Sequence, residues 1–383
     1  MNLSVPATKM RIYRVAVSAF FFISGLTFAS WASRIPDIKT QLQLSDARLG
    51  AVLFALPAGL MTSLLFAGWL VTRLGSRRVM IGAALLYPAI LVLLGVSNSV
   101  WQLASLLFFF GLASNLVNIA MNTQAVEVES MYGRSVMASF HGLWSIAGFT
   151  GAAVSTLLVS ADVEPWVHFA IIFSAVALIV VSFYRFTLPT DTAPAEPPPL
   201  FVKPDRYILI LGLIAFCSML CEGAMADWSG VYFQHVVKAP AGWITLGYVA
   251  FTAAMATGRF LGDKLVNRLG VKRVLQASAT LIATGLFAAI LFPYMLTAVL
   301  GFLLVGLGVS SVVPLVYSLA GKSGTMQPGL ALAAVSSISF LGFLIGPPLI
   351  GFISEAAGLP IAFAVIAVVG LFPALLASKV KES

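Results

Sequence analysis

The chain has 383 residues, of which 60% are hydrophobic and 9% charged, and its net charge is +8. An ordinary soluble protein carries about 25% charged residues, so this chain cannot cover itself with polar surface and is expected to be an integral membrane protein with little mass outside the bilayer. Its basic residues sit in a few short loops, which is a signal of topology and not of a nucleic-acid partner, and strand alternation is absent, so the spans are helices rather than a barrel.

Twelve apolar runs predict helices at roughly 12–32, 47–71, 79–97, 100–126, 134–160, 165–187, 207–235, 241–266, 273–292, 294–320, 328–354 and 360–378. Lys9, Arg11 and Arg14 ahead of Val15–Trp31 imitate a signal peptide, but the run is long and eleven more follow, so it reads as an uncleaved first span. Cys217 and Cys221, the only cysteines, lie one turn apart inside an apolar run and make neither a disulfide framework nor a metal cluster. An even number of spans puts both termini on one side. With that side cytoplasmic, Lys9, Arg11, Arg14, Arg73, Arg77, Arg78, Arg134, Arg185, Lys203, Arg206, Lys264, Arg268, Lys272, Arg273, Lys322, Lys379 and Lys381 lie inside, and only Arg34, Lys39, Arg48 and Lys238 outside. This bias predicts a multi-pass protein of the cell (inner or plasma) membrane with both termini in the cytoplasm.

Between spans six and seven runs LPTDTAPAEPPPLFVKPDR, residues 188–206, rich in proline and without apolar periodicity, which predicts a cytoplasmic linker between an N-terminal half, 1–187, and a C-terminal half, 207–383. A repeat supports the division. LVTRLGSRRV at Leu70–Val79 returns as LVNRLGVKRV at Leu265–Val274, each a short basic turn between two apolar runs.

The first copy, Gly68 to Arg78, resembles the loop between spans two and three of the major facilitator superfamily, approximately G-x-L-a-D-R-x-G-R-R, with Thr72 in place of the acid. In the second copy that position is Asn267, and Asp263 stands one turn earlier. WASRIPDIK at Trp31–Lys39, HGLWS at His141–Ser145 and EGAMADWSGVY at Glu222–Tyr232 resemble the rhizopine-transporter-like branch, near the fucose-permease type. The resemblance covers essentially the whole chain and implies an all-α fold of twelve transmembrane helices in two pseudo-symmetric six-helix halves. It also implies that spans one, four, seven and ten surround a cavity.

An ionisable group at mid-membrane costs about 2.5–3.5 kcal/mol on insertion scales, so each one is a functional candidate. Span one offers Thr27 and Trp31 as cavity residues, with Ser24, Ser30 and Arg34 nearby. In span four Asn115, Asn118 and Asn122 recur at i, i+3 and i+7, within roughly 60° of one helix face. Such a stripe is either a cavity wall for hydroxyl- or amide-bearing solutes or glue between helices, and Gln124 extends it toward the cytoplasm. His141 and Trp144 lie in span five; the histidine is a second proton-coupling candidate, although a lone helix histidine is more often a packing residue.

Span seven carries Glu222 roughly 22 Å and Asp227 roughly 30 Å from its cytoplasmic end at about 1.5 Å per residue. Glu222 is the leading proton-coupling candidate, against a structural acid bonded to a neighbouring helix. Asp227 is either a cavity residue or a helix-end acid paired with Arg34 or Lys238. Trp228 and Tyr232 are interfacial anchors or stacking platforms for a sugar. For a cytoplasmic gate the candidates are Arg73, Glu127, Glu129 and the i, i+4 pair Arg259 and Asp263, against plain solvated loop charges. Span ten adds Ser310, Ser311 and Tyr317, and Gly342, Gly346, Pro347, Pro348 and Gly351 let span eleven bend.

The sequence holds no nucleotide loop, metal cluster or nucleophilic triad, so no cofactor, metal or enzymatic chemistry is expected. The expected function is secondary active transport of a small hydrophilic organic solute, sugar- or polyol-like, by alternating access. Protons are the expected coupling ion, the bilayer is the other partner, and the expected state is a monomer. Two alternatives stay open: a proton-coupled exporter of amphipathic drugs or metabolites, weakly favoured by the 28 phenylalanines, and a non-transporting membrane sensor.

Overall fold

The computed structural model describes residues 6–133, 136–189, 204–324, 326 and 328–380. Arg134, Lys203, Lys381, most of the predicted linker and the side chain of Asp263 lie outside the described residues. Those described are helical, with no strand among them. In chain order the helices are α1 (Ala7–Ser33), α2 (Ile35–Gln41), α3 (Asp46–Leu53), α4 (Ala55–Leu74), α5 (Ser76–Gly95), α6 (Val100–Tyr132), α7 (Met137–Ser160) and α8 (Pro165–Phe183). After the linker come α9 (Arg206–His235), α10 (Leu246–Leu269), α11 (Val271–Leu291), α12 (Met295–Ser310), α13 (Val312–Gly321), α14 (Pro328–Ala357) and α15 (Leu359–Ala377).

Twelve stretches are long and apolar enough to cross a membrane, matching the predicted spans one for one. The protein is an all-α membrane protein with twelve spans in two six-helix halves. Two spans predicted as continuous are divided: the second into α3 and α4 at Phe54, the tenth into α12 and α13 at Ser311. In both the break falls three residues before a proline, Pro57 or Pro314. Proline has no N–H to give the carbonyl four residues back and its ring crowds that carbonyl, which weakens the helix at Leu53 and Ser310. Pro36 marks a third break, at Arg34 between α1 and α2. By contrast α14 runs on through Pro347 and Pro348.

The two copies of the basic repeat form the same turn. Gly75 joins α4 to α5 with φ of 85°, and Gly270 joins α10 to α11 with φ of 79°, a left-handed backbone that only glycine adopts freely.

By internal contacts the chain forms two compact units. One holds α1 and α4 to α8 except for the last two residues of α1 and α7, and the other holds those residues with α2, α3 and α9 to α15. Lipid tails are as apolar as leucine, so helices in a bilayer associate through close backbone packing at small residues. In the first unit Gly59 and Gly111 bring α4 and α6 together, each against the other helix's backbone at Phe108 or Leu56, and Gly25 seats α1 on the carbonyl of Trp144 in α7. In the second unit Gly285 and Gly301 face each other across α11 and α12, and Gly342 seats α14 on α9 at Phe216 and Leu220.

The second unit also carries the short helices that follow span one. Gly50 of α3 meets Gly351 of α14 backbone to backbone, and Pro36 covers Gly230 of α9. Polar contacts hold the same segment: Lys39 Nζ lies 2.9 Å from Asp46 Oδ1 and 3.3 Å from His235 Nε2. Ser354 donates to Asp46, the Ala47 amide donates to Glu355 Oε2 at 3.2 Å, and Gln234 Nε2 donates to Thr40 Oγ1 at 3.3 Å.

Candidate functional site

In the second unit two opposite charges meet between adjacent spans. Arg259 Nη2 of α10 lies 3.7 Å from Glu222 Oε1 of α9, with the side chains 20% and 14% exposed. The packing of α10 explains how Arg259 reaches that place. A Cβ at Gly258 would collide with Ser310 Oγ, and one at Gly262 would press on Ser311 Oγ, so these two small residues, one turn apart, lay α10 on the point where α12 ends. Ser310 turns its hydroxyl back to the Leu307 carbonyl at 2.6 Å. With that glycine face against α12, the adjoining Arg259 is left for α9. Arg259 thus has Glu222, 37 residues back and across a helix interface, within ion-pair reach, while the side chain of its other expected partner, Asp263, lies outside the described residues.

Asp227 stands apart from this pair. Five residues on from Glu222, it is turned roughly 140° around the helix. That is the face of Leu220 and Gly223, which pack on α14 at Gly342 and Phe343. The expected pairing with Arg34 or Lys238 is not found: Arg34 Nη1 pairs with Asp37 Oδ2 at 3.2 Å, and no hydrogen bond or ion pair reaches the Asp227 carboxylate among the described residues. Outside the spans, burial raises the Asp37 carboxyl above its ordinary range, with Arg34 opposing the shift.

Trp228 and Tyr232 are neither interfacial anchors nor open stacking platforms. Both are fully buried. The Tyr232 ring stacks on Phe363 at 4.6 Å, and its hydroxyl donates to the Ala289 carbonyl at 3.0 Å. The reason is that the stretch from Cys217 to Phe233 of α9 is almost wholly buried, so a large ring on it fills core. Tyr317 of α13 accepts from Ser336 at 3.1 Å.

In the first unit the asparagine stripe divides. Asn115 is buried and donates to Ser63 Oγ at 2.6 Å and to the Leu60 carbonyl at 3.3 Å, tying α6 to α4. Asn118 is exposed, and Asn122 donates to its carbonyl oxygen at 2.8 Å and to its side-chain oxygen at 2.5 Å, so these two amides form one self-supporting polar surface. Gln124 is fully buried and does not extend that surface: it donates to Ser76 Oγ at 2.7 Å and to the Leu188 carbonyl at 3.1 Å, and accepts from the Leu188 amide at 2.9 Å.

Thr27 is buried, with its hydroxyl on the Ile23 carbonyl at 2.7 Å, and Trp31 is buried against Phe110, so neither lines an open surface. His141 is exposed, with its ring edge-on to Phe21 at 5.3 Å, and the half-buried Trp144 stacks on Phe28 at 6.4 Å.

The other gate candidates have local partners. Glu129 Oε2 accepts from the amides of Val136 and Met137 at 2.7 and 2.8 Å, a carboxylate at the positive end of α7. Glu127 is buried, and Arg73 is exposed with its guanidinium 5.3 Å over the Trp69 ring. Sequence reasoning missed Ser63 as the partner of Asn115, and it missed the Lys39–Asp46–His235 cluster. The flanking of that cluster by opposite charges was the only signal available. No group of three or more His, Cys, Asp or Glu suited to a metal occurs among the described residues.

The sequence matches the Major Facilitator Superfamily over residues 16–327. It is 35% identical over 356 residues to an uncharacterised MFS-type transporter of Yersinia pestis, covering 92% of each chain. It is 32% identical over 371 residues to membrane protein MosC of Rhizobium meliloti, covering 96% of this chain and 90% of that one. The crystal structure of a D-xylose-proton symporter superposes with a TM-score of 0.76 over 96% of this chain and 98% of that one, at 14% identity, a likeness of fold. With twelve spans, a doubled basic turn and relatives matched over nearly their whole length, the chain belongs to the major facilitator superfamily of membrane transporters.

Proposed function

We propose that this protein is a proton-coupled secondary transporter that moves a small hydrophilic organic solute by alternating access, with halves 1–187 and 207–383 joined by the linker 188–206. The Glu222–Arg259 pair carries the proposal, because charges inside spans are expensive and are kept for ion or substrate pathways. The chemistry follows from the pair itself. When Glu222 takes a proton it becomes neutral, and Arg259 loses that carboxylate as a counter-charge, since a guanidinium cannot give up its own charge in exchange. The conformation that best hydrates or re-pairs Arg259 is then favoured. Proton binding thus biases the equilibrium by its differential free energy, and linkage requires the solute to bias proton binding equally.

The Asn118–Asn122 surface supplies donors and acceptors for a hydroxylated solute, since an exposed amide pair within a span is ill suited to lipid. The distribution of basic residues supports a reading with both termini in the cytoplasm and the protein in the inner or plasma membrane. A thermal-shift screen of sugars, inositols, amino acids and organic acids identifies the solute, because binding to the folded state raises its stability. The solute found is then added to proteoliposomes loaded with a pH-sensitive dye. Wild type moves protons with the solute, and Glu222→Gln still binds and exchanges solute but moves no protons. Unchanged proton movement in Glu222→Gln overturns the coupling role.

A further inference from the structure

We propose that Arg77, Arg78 and Arg185 form a binding site for the headgroup of an anionic phospholipid, at the end of the first unit where α5 begins and α8 closes. The site rests on the protein's place in a membrane and is independent of which solute it carries.

Two of the arginines converge on one residue. Arg77 Nη2 donates to the Tyr184 carbonyl at 2.8 Å. Arg185 Nε donates to the Tyr184 hydroxyl at 2.8 Å, with its guanidinium 5.5 Å over the same ring. Each guanidinium has five N–H donors, so one such bond fixes the group and leaves four donors for a phosphate. Arg78 is exposed beside Arg77, and among the described residues no carboxylate forms an ion pair with any of the three.

The platform beneath them is rigid. Buried Gln124 joins Ser76, at the start of α5, to Leu188, just past the end of α8, through three hydrogen bonds, and Thr187 Oγ1 donates to the Tyr184 carbonyl at 2.8 Å. A headgroup would meet arginines that are already ordered, which lowers the entropy lost on binding. From the same spot an apolar surface runs along α8: Leu178 and Val181, one turn apart, are 69% and 64% exposed, and Phe186 is 48% exposed. A free phosphate has no use for that surface, but an acyl chain does.

The second copy of the repeat is an internal control. Lys272 and Arg273 occupy the positions of Arg77 and Arg78, yet among the described residues their side chains make no hydrogen bond or ion pair. Orientation in the membrane needs only the charge, which both copies have. The fixed geometry of the first copy is extra, and a ligand accounts for it.

The test is native mass spectrometry of the full chain in neutral detergent, titrated with phosphatidylglycerol or with phosphatidylethanolamine of the same acyl chains. Wild type is expected to bind phosphatidylglycerol at least tenfold more tightly. Arg77→Gln with Arg185→Gln is expected to abolish that preference, and Lys272→Gln with Arg273→Gln to keep it within twofold. Arg78→Gln alone, at an exposed side chain with no hydrogen bond or ion pair among the described residues, is expected to weaken it about threefold and keeps the test valid if the double variant misfolds. Equal binding of the two lipids, equal loss in the second-copy variant, or displacement by millimolar inorganic phosphate as effective as by phosphatidylglycerol would overturn the proposal.

Discussion

Replacing Glu222 with Gln and Arg259 with Gln, singly and together, tests whether the two residues act as one unit. At 3.7 Å the charges are too far apart for the roughly 2.7–3.2 Å of a hydrogen bond, so their interaction is electrostatic. With an effective dielectric near 20, two unit charges 3.7 Å apart attract by about 4 to 5 kcal/mol, an upper bound before desolvation is charged against it. Breaking a buried pair by removing one partner costs about 3–5 kcal/mol, because the survivor is left uncompensated. The survivors differ, however. A carboxylate that loses its partner can take a proton and become neutral, whereas a guanidinium cannot lose one. Glu222→Gln is therefore expected to melt lower than Arg259→Gln, and the double variant, which keeps neither charge of the pair, to melt above Glu222→Gln. Thermal unfolding of the detergent-purified variants reads all four corners of the cycle without any knowledge of the solute. A double variant that melts below Glu222→Gln, with losses that simply add, would show that the pair is not coupled.

Three further outcomes follow from the packing. Asn115→Ala removes both hydrogen bonds that tie α6 to α4, leaving Ser63 its bond to the Leu60 carbonyl, and is expected to cost about 1–3 kcal/mol of stability with little effect on the solute's KM, whereas Asn118→Ala should leave melting unchanged and raise KM severalfold; the opposite assignment would exchange their roles. Gly351→Val puts a side chain into the backbone of Asp46 and Gly50 and is expected to cost about 1–3 kcal/mol, with faster protease cleavage between Ala32 and Phe54; unchanged cleavage would mean that α3 does not depend on this contact. Gln124→Ala removes three buried hydrogen bonds and should lower stability by about 2–4 kcal/mol, read as a fall in the melting temperature.

The spans and the repeat were legible because a bilayer allows few solutions: twelve apolar runs must be helices, and a glycine between two of them must turn. Residue roles were less legible where helix periodicity says which residues share a face but not what that face meets. Trp228 and Tyr232 show this on α9, where both are fully buried and position along the span says nothing about exposure. For Arg259 the i, i+4 rule offered Asp263 and was silent on Glu222, which comes from another helix, although two adjacent spans each carry a deep charge of opposite sign. The asparagine stripe left cavity wall and glue between helices open, and what lies opposite each amide differs: Asn115 has Ser63, while Asn122 bonds to Asn118. Pro57 and Pro314 carry the signal of an interruption in their missing amides alone, whereas the helix does not break at Pro347 and Pro348 in span eleven.

The piece of chain from Ala32 to Phe54 is delimited by two of those interruptions, at Arg34 ahead of Pro36 and at Phe54 ahead of Pro57. Between them it forms a strut of two short helices, α2 and α3, seated on α9 and α14 through Pro36, Gly50 and the Asp46–Ser354 contact. A gene cut at the linker would therefore yield a C-terminal fragment with the seat of that strut stripped bare, its glycines and carbonyls facing nothing. Fragment complementation should succeed better when residues 32–54 are supplied with the first half in the same membrane than when 207–383 is expressed alone. Circular permutants that open the chain inside this strut should assemble poorly, although its helices are among the shortest in the protein.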